Sequence, residues 1–418
     1  MGKFHFWQQN FTLWNTCRFE ICTDICNFFS AAMEPRLKQR IALSVYFFIS
    51  GFGFASWASR IPTLKTLFDL NEAELGNLLL VMPVSSLVGL PISGWLVSRF
   101  DSRLPLLVSF IFFSIALALI GFSGNLWVLI AAIFLFSFSM RIVNIAMNTQ
   151  SITLQKSFVK KIIGSFHGIW STGGLAGVGF STLIISMEVS MGTHLLIVAI
   201  ITLVAGVFSY SFLLKKDRVT QGNKLNFKKP DKFIVYLGLL VFFAAICEGG
   251  MFDWSGVYFK EVVKEEVFTT GYLIFMVFMA LSRFLSDRII EKIGMERMYV
   301  MSSSVIVTGI ALMIILPYFW PAVVGFSLVG LGVAAIFPMT FALAGTSEKY
   351  SPGMAISIIA TYAIIGMLLG PPLIGYLAHL FNLKVSFLLL LFSGLMLIPI
   401  SQLFFRHRRS RKSQSTPA

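Results

Sequence analysis

Twelve apolar segments, each about twenty residues long, run through this chain of 418 residues. A bilayer core ~30 Å thick takes about 20 helical residues to cross, and backbone groups inside lipid must be hydrogen-bonded within the helix. Charged residues make up 12% of the chain, about half the share found in soluble domains. The sequence therefore predicts an all-α membrane protein. The predicted spans are 38–60, 75–98, 103–123, 125–150, 161–187, 193–214, 232–258, 268–288, 298–317, 321–346, 353–379 and 384–405.

The positive charge is distributed unevenly between the two ends of these spans. The net charge of +14 would by itself fit a nucleic-acid-binding protein. Cytoplasmic loops of membrane proteins, however, collect Lys and Arg. We therefore interpret the charge as a signal of orientation, with both termini cytoplasmic in the inner (plasma) membrane, and expect no nucleic-acid partner. The connections on the N-terminal side carry most of the Lys and Arg, and the other side carries Arg60, Lys65, Lys260, Lys264 and Lys384.

The longest internal connection, KKDRVTQGNKLNFKKPDK, is basic, polar and without apolar periodicity. It divides the spans into two sets of six. We therefore predict twelve transmembrane helices in two pseudo-symmetric six-helix bundles. The predicted units are an N-terminal extension 1–35, an N-terminal bundle 36–214, a basic cytoplasmic linker 215–231, a C-terminal bundle 232–405 and a basic tail 406–418.

The first 35 residues do not fit this arrangement, because they contain no continuous apolar core. Cys17, Cys22 and Cys26 lie in this stretch, but their spacing does not match a site with four metal ligands. We expect no metal and no cofactor. Met33 begins MEPRLKQR, a basic lead into the first span, and we hypothesise that the natural chain starts there. Abundant peptides from upstream of Met33 in the native protein would contradict this hypothesis.

Polar side chains recur along one face of the fourth span. Arg141, Asn144, Asn148, Ser151 and Gln155 follow the spacing i, i+3, i+7, i+10 and i+14, which places them within a sector of about 80° on a helix. Lipid cannot be the neighbour of such a face. A hydrogen-bonded seam between helices is one interpretation. A water-filled cavity is the other, and Arg141 favours it because a seam seldom needs a permanent charge.

Glycines cluster at corresponding places in the fifth and eleventh spans, which favours an internal repeat. They permit close approach of backbones, and either a moving seam between the halves or static tight packing would use them. His167 of the fifth span is either a proton carrier or a satisfied interior histidine. The glycines are Gly168, Gly173, Gly174, Gly177, Gly179, Gly366, Gly370 and Gly375.

The first and seventh spans end alike, in FGFASWASRIPTLK and EGGMFDWSGVYFK. Trp57 and Trp254 match in place, beside Arg60 and Asp253, and each tryptophan is either an interfacial anchor or a substrate-lining residue. Glu248, within the outer half of the seventh span, is a carboxyl group expected to lack a partner. It is a candidate proton carrier, and a structural hydrogen bond is the alternative. Asp253 is predicted near the outer surface, as a functional group or an ordinary surface carboxylate.

The connection after the second span reads GWLVSRFDSR, and the one after the eighth reads RFLSDRIIEKIGMER. Both resemble a signature of the major facilitator superfamily, whose loop between spans two and three reads roughly G-x-x-x-D-R-x-G-R-R. The first copy here lacks the acid of the family's charge lock between the halves. GWLVSRFDSR keeps Gly94, Arg99 and Arg103, with Ser98 in place of the acid and Asp101 in place of the second glycine. RFLSDRIIEKIGMER keeps Asp287, Arg288, Gly294 and Arg297, with Arg283 in place of the leading glycine.

Five further motifs are SWASRIP (56–62), AMNTQ (146–150), SFHGIWSTGG (165–174), EGGMFDWS (248–255) and GPPLIG (370–375). More narrowly, they resemble the YbjJ/MosC-like branch of that family. The resemblance covers about residues 38–405 and implies a rocker-switch carrier with spans one, four, seven and ten around the cavity. That branch carries an acid on the fourth span where this chain has Asn144. MosC is linked to metabolism of an inositol-derived amine, which implies small sugars, polyols or related amines as substrates.

The sequence thus predicts a proton-coupled secondary active transporter of a small polar solute. A multidrug exporter is the alternative within transport, and a non-transporting membrane sensor is the alternative of another class. The sequence has no G-x-x-x-x-G-K-[ST] and no H-E-x-x-H, so we expect neither ATP hydrolysis nor an enzyme.

The expected partners are a small-molecule substrate, protons or another coupling ion, and the lipid bilayer, and the expected state is a monomer. The predicted site residues fall into three groups by role. They are Trp57, Arg60, Arg141, Asn144, Asn148, Trp170 and Trp254 for substrate; Glu248, His167 and Asp253 for proton coupling; and Gly94, Arg99, Arg103, Asp287, Arg288, Gly370 and Pro371 for gating.

Overall fold

The computed structural model describes residues 34–159, 162–215, 231–350 and 352–415. Residues 1–33 of the predicted extension and residues 216–230 of the predicted linker therefore lie outside the described residues. The described part is helical, with twelve long helices labelled α1 to α12. They are α1 Pro35–Ala58, α2 Glu72–Arg99, α3 Arg103–Gly121, α4 Leu126–Gln155, α5 Ile163–Ser186, α6 Met191–Tyr210, α7 Lys232–Tyr258, α8 Thr270–Ile293, α9 Met295–Ile315, α10 Phe319–Val333 continued by Ile336–Ala344, α11 Pro352–Leu380 and α12 Leu388–Ser415.

Eleven stretches of the described chain are long and apolar enough to cross a membrane, and the apolar part of α8, Thr270–Arg283, is shorter. This confirms the predicted all-α membrane fold. Three shorter pieces connect or extend the long helices. They are the helix Ile61–Leu67 after α1, the π-helical turn Phe259–Val263 that extends α7, and the helix Leu383–Ser386 before α12.

Side-chain caps fix where several of the long helices begin. The side-chain oxygens of Asn71, Asn125 and Asp231 each accept a hydrogen bond from the backbone N–H three residues later, which satisfies a donor that the first helical turn leaves free. Asn71 and Glu74 form a complete capping box. Polar residues at the ends of the connections thus set the starts of α2, α4 and α7.

The helices form two bundles with the same internal packing. In the first bundle α1 packs on α5 and α6, and α3 packs on α4 and α6; in the second, α7 packs on α11 and α12, and α9 packs on α10 and α12. The correspondence extends to backbone contacts. A Cβ atom on Gly173 would meet the carbonyl oxygen of Phe48, and one on Gly366 would meet that of Phe242. The predicted internal repeat is therefore confirmed as two pseudo-symmetric six-helix bundles.

The two bundles meet along two seams, α2 with α11 and α5 with α8. In the first seam, Gly76 lies against Gly375. In the second, the hydroxyls of Thr182 and Thr269 are 2.9 Å apart. The helix Ile61–Leu67 also packs on α7. These contacts close the bundle at the end that carries the connections after α1 and α7, and we refer to it as the closed end.

The glycines of α5 serve different contacts. Gly173 and Gly177 lie against backbone carbonyls of α1 in the same bundle, whereas Gly174 faces Met276 of α8 in the other bundle. The Cβ positions of Gly168 and Gly179 have nothing within 4 Å. Close packing within one bundle therefore accounts for two of these glycines, and the seam between the bundles accounts for one.

Gly173→Ala is expected to destabilise the protein, because the added Cβ would overlap the carbonyl of Phe48 and push α1 away from α5. Overpacking of this kind costs about 1–3 kcal/mol, whereas alanine in a helix is favoured over glycine by roughly 0.5–1 kcal/mol. Gly179→Ala is the matched control on the same helix and should melt at or slightly above the wild-type temperature. Thermal unfolding of the purified protein in detergent checks this, and equal melting temperatures for the two variants would contradict it.

Candidate functional site

A cavity of about 280 Å³ lies between the two bundles. Helices α1, α2, α4 and α5 of the first bundle and α7 and α11 of the second supply its walls. The walls are mostly apolar, and the ionisable groups among the described lining residues are Arg141 of the first bundle and Asp253 of the second. The lining residues are Phe54, Leu79, Met82, Pro83, Ser86, Ser137, Met140, Arg141, Asn144, Trp170, Gly249, Phe252, Asp253, Ile364, Met367 and Pro371.

Arg141, Asn144 and Ser137 form the polar part of the wall on α4, and the sequence predicted the first two as site residues. Arg141 Nε donates to Ser86 Oγ of α2 at 2.6 Å, and no carboxylate pairs with this guanidinium among the described residues. Asn144 Nδ2 donates to the Met140 carbonyl of its own helix at 3.0 Å. That bond leaves the side-chain oxygen of Asn144 available as an acceptor.

Asp253 lies in the cavity wall on α7, and its predicted position near the outer surface is wrong. The reason is that α7 runs on to Tyr258 and through the π-helical turn Phe259–Val263, which adds between two and three turns beyond Asp253. Next to it, the ring of Phe252 packs on that of Phe54 of α1, with centroids 5.9 Å apart. Asp253 makes no hydrogen bond or ion pair with any described residue, so its carboxylate is available to a ligand.

Glu248 is buried on α7, next to the lining residue Gly249. Its Oε1 is 3.6 Å from Arg283 Nη2 of α8, and Arg283 also donates to Ser171 Oγ of α5 in the other bundle. The prediction that Glu248 lacks a partner is therefore wrong, because the sequence does not show that α8 turns Arg283 toward α7. Through Arg283, this cluster joins the two bundles beside the cavity.

Three predicted substrate residues lie inside the first and second bundles and outside the described cavity wall. Trp57 and Trp254 are fully buried, and neither indole Nε1 has a hydrogen-bond partner among the described residues. Arg60 is buried too; its Nε donates to His194 Nδ1 at 3.0 Å and its Nη2 to the Val189 carbonyl at 2.8 Å. Arg60 thus ties the end of α1 to α6 and the connection before it.

Of the remaining residues predicted for substrate binding or proton coupling, one lines the cavity and two lie outside its described wall. Trp170 lines the cavity from α5. His167, one turn earlier, is exposed and sets its ring edge against Phe47, with centroids 5.7 Å apart. Asn148 Nδ2 donates to the Asn144 carbonyl at 2.8 Å. Neither His167 nor Asn148 belongs to the described wall, so the polar face of α4 lines the cavity along only part of its length.

The predicted gating residues do not form one group. Pro371 lines the cavity from α11. Arg103 Nε donates to the Tyr210 carbonyl at 3.1 Å, and its guanidinium lies over that ring, so Arg103 contacts its own bundle. Gly370 lies near Ile246 of α7. Gly94, Arg99 and Arg288 are exposed, and the side chain of Asp287 lies outside the described residues.

Sequence reasoning missed the apolar part of the wall, because apolar residues beside a cavity do not differ in sequence from those beside lipid. The resemblance also placed α10 at the cavity, yet α10 supplies no described lining residue. Its glycines hold it against α8 and α9: a Cβ on Gly330 would meet the Phe275 carbonyl, and one on Gly332 the Ser302 carbonyl. The missed residues are Phe54, Leu79, Met82, Pro83, Ser86, Ser137, Met140, Gly249, Phe252, Ile364 and Met367.

Many secondary transporters consist of two repeated bundles with a binding site where the repeats meet. The family profile described as Major Facilitator Superfamily matches residues 43–351 and 297–418. The chain therefore belongs to the major facilitator superfamily, and it is a multi-pass membrane protein of the transporter class.

Similar proteins place it more narrowly. The membrane protein MosC of Rhizobium meliloti is 30% identical, over 90% of this chain and 92% of that protein. An uncharacterised MFS-type transporter of Yersinia pestis is 29% identical, over 85% of this chain and 93% of that protein. These relatives confirm the MosC-like branch.

Solved structures share the fold at low identity. A mutant of the nucleoside transporter NupG aligns with a TM-score of 0.75 at 12% identity, over 89% of this chain and 100% of that chain. A bacterial homologue of the human lysosomal transporter Spinster, in an inward-facing and occupied conformation, aligns with a TM-score of 0.68 at 14% identity, over 93% of this chain and 100% of that chain. Likeness at this identity shows the fold alone.

Proposed function

We propose that this protein is a secondary active transporter that moves a small polar solute by alternating access. The observation that supports this most directly is the cavity between the bundles, since such sites are exposed alternately when one repeat rocks against the other. In the described state the bundles touch at the closed end. Separation of those contacts would expose the cavity there.

Sugars, polyols or related amines are the proposed substrates. The guanidinium of Arg141 and the amide of Asn144 suit hydroxyl oxygens and anions, and the ring of Trp170 suits a sugar face or a cation. The cavity of about 280 Å³ has room for about nine water molecules at ~30 Å³ each. That volume fits a solute of roughly monosaccharide size.

Protons are the proposed coupling ion, and Glu248 is the proposed carrier. Arg283 contacts Glu248 in one bundle and Ser171 in the other, so a proton on Glu248 would change a contact that joins the bundles. His167 lies one turn from Ser171, whose Oγ donates to the His167 carbonyl at 3.1 Å. It is the second candidate, and Asp253 is the third.

Export of amphipathic toxic compounds is a second candidate function, favoured by the apolar walls of the cavity. The cavity of about 280 Å³ lies at the lower limit of pockets for drug-sized ligands, which usually span ~300–1,000 Å³, so its size is closer to what a small solute needs. The drug sensitivity of a deletion strain and of a strain that overproduces the protein distinguishes the exporter from the transporter of a small solute. Increased sensitivity in the first and resistance in the second would favour the exporter.

The proposed orientation follows the charge distribution, with both termini on the cytoplasmic side of the inner membrane and the closed end facing outward. We also propose that the protein acts as a monomer. A reporter enzyme active only in the cytoplasm, fused to the C-terminus, should be active. An inactive reporter on a correctly inserted protein would contradict the orientation.

Counterflow in proteoliposomes tests the proposed transport. Vesicles preloaded with an excess of unlabelled solute should transiently concentrate the labelled solute, for at least one of a panel of sugars, polyols and amines. Arg141→Gln should slow this at least tenfold, a loss of roughly 1.4 kcal/mol, because the guanidinium lines the cavity. Glu188→Gln, which changes an exposed carboxylate at the closed end, is the control. Binding of a solute without exchange would contradict transport and favour the non-transporting sensor.

A further inference from the structure

The cavity contains a guanidinium group and a carboxyl group that do not pair with each other. Arg141 comes from α4 of the first bundle and Asp253 from α7 of the second, and both line the same space. No ion pair joins them, since the acceptor for Arg141 is the hydroxyl of Ser86 at 2.6 Å and Asp253 has no partner among the described residues. An uncompensated charge inside a membrane protein is costly and usually marks a ligand or ion site.

We propose that the substrate is a zwitterion of about monosaccharide size, whose anionic group binds Arg141 and whose cationic group binds Asp253. This inference rests on the proposed transport function and narrows its substrate class. A guanidinium binds a carboxylate through two parallel N–H donors, and a carboxylate binds an ammonium group through charge-assisted hydrogen bonds. One ligand with both groups would satisfy both side chains at once.

The surroundings of the two charges fit the same ligand. Phe252 adjoins Asp253 along α7, and its ring packs on Phe54, so an ammonium group at Asp253 would lie beside aromatic surfaces that attract cations. Trp170 also lines the cavity, where its ring offers a further aromatic surface. The side-chain oxygen of Asn144, one helical turn from Arg141 on α4, would accept a hydrogen bond from a hydroxyl group of the ligand.

The placement of the charges on opposite bundles gives the zwitterion a role that simpler ligands lack. A ligand with a single charge satisfies Arg141 or Asp253 and leaves the other group uncompensated. A zwitterion contacts both bundles, so its binding energy favours states in which both close around it. The structure therefore favours the doubly charged ligand over an anion, a cation or a neutral sugar of equal size.

Four ligands of nearly equal size test this on the purified full-length protein. They are 2-amino-2-deoxygluconate, which is zwitterionic near neutral pH, glucosamine, gluconate and glucose. We expect the zwitterion to bind at least tenfold more tightly than each of the other three, measured by calorimetry and by the ligand-induced shift in melting temperature. In Asp253→Asn, the zwitterion should bind no more tightly than gluconate. In Arg141→Gln, it should bind no more tightly than glucosamine. Glu188→Gln should keep the wild-type ranking.

Equal binding of the four ligands would overturn the proposal that the substrate is a zwitterion. So would the wild-type order of ligand affinities in both Asp253→Asn and Arg141→Gln. Because the readout is binding, it is independent of the transport assay. The expected ranking without exchange in proteoliposomes would contradict the proposed function and leave the ligand assignment standing. Exchange of glucose without tighter binding of the zwitterion would support the proposed transport function and contradict the ligand assignment.

Discussion

Glu248→Gln is expected to abolish proton-driven accumulation of substrate while substrate exchange continues at close to the wild-type rate. A pH difference of one unit is worth about 1.4 kcal/mol per proton, so coupling to one proton sustains up to roughly tenfold accumulation. The variant should not accumulate the labelled solute under the same pH gradient. The measurement is the final ratio of inner to outer labelled solute in proteoliposomes, taken beside a counterflow assay on the same preparation.

The expectation depends on where Glu248 lies. Its side chain is 9% exposed, and its partner Arg283 Nη2 is 3.6 Å away, beyond the usual length of a charge-assisted hydrogen bond. Arg283 also donates to Ser171 of the other bundle, so a neutral Glu248 would leave Arg283 with its partner across the seam. Glutamine imitates the neutral carboxyl group permanently, which removes the proton cycle without removing the side chain.

Two controls separate coupling from damage to the fold. Glu188→Gln changes an exposed carboxylate and should retain accumulation. Ser171→Ala removes the partner of Arg283 in the other bundle and should alter the exchange rate while accumulation remains measurable. Unchanged accumulation in Glu248→Gln would exclude Glu248 from coupling. Loss of exchange together with accumulation would assign it a structural role.

The fold was predictable from the sequence because each span carries its own signal. Segment length, apolar content and polar breaks are local properties, and they predict the spans that the structure contains. The polar face of α4 is also local, since it follows from the helical period alone. It predicted a face that does not meet lipid, and the charge of Arg141 favoured a cavity over a seam. Arg141 and Asn144 both line the cavity.

The rest of the candidate site depends on partners that are distant in the sequence. Arg60 was a candidate for substrate because it follows Trp57, yet it bonds to His194 of α6. The partner of Glu248 is Arg283 of α8, and no periodicity within one helix identifies it. The depth of Asp253 depends on how far α7 continues beyond its apolar run. Contacts of this kind appear only when the helices are assembled.

Lys65 at the closed end joins the two bundles through a short ion pair. Its Nζ is 2.5 Å from Glu261 Oε1 in the second bundle and 2.8 Å from Glu72 Oε1 in the first. Beside it, Lys260 Nζ donates to Thr66 Oγ1 at 2.5 Å, a second contact between the bundles. The Lys65 side chain is 10% exposed, which places the pair between surface pairs worth up to about 1 kcal/mol and buried pairs whose rupture costs about 3–5 kcal/mol.

Glu261→Gln is therefore expected to shift the protein toward a state in which the two bundles separate at the end that carries the connections after α1 and α7. A loss of about 1–2 kcal/mol corresponds to a roughly five- to thirtyfold change in the ratio of the two states. Glu72→Gln is the matched control, because it removes a pair with the same Lys65 atom inside one bundle and leaves the pair between bundles intact. That variant should keep the wild-type ratio.

Pulsed electron paramagnetic resonance checks this shift, with spin labels at the exposed positions Leu67 and Glu266, which lie in opposite bundles. The labelled Glu261→Gln protein should gain a population at longer distance that the labelled wild-type and Glu72→Gln proteins lack. Since the two substitutions remove equal charge a few ångströms apart, a change in surface electrostatics alone would affect both. Identical distance distributions for the two variants would show that the Lys65–Glu261 pair does not hold the bundles together, and the bundles would then be closed at this end by the apolar and glycine contacts of the seams.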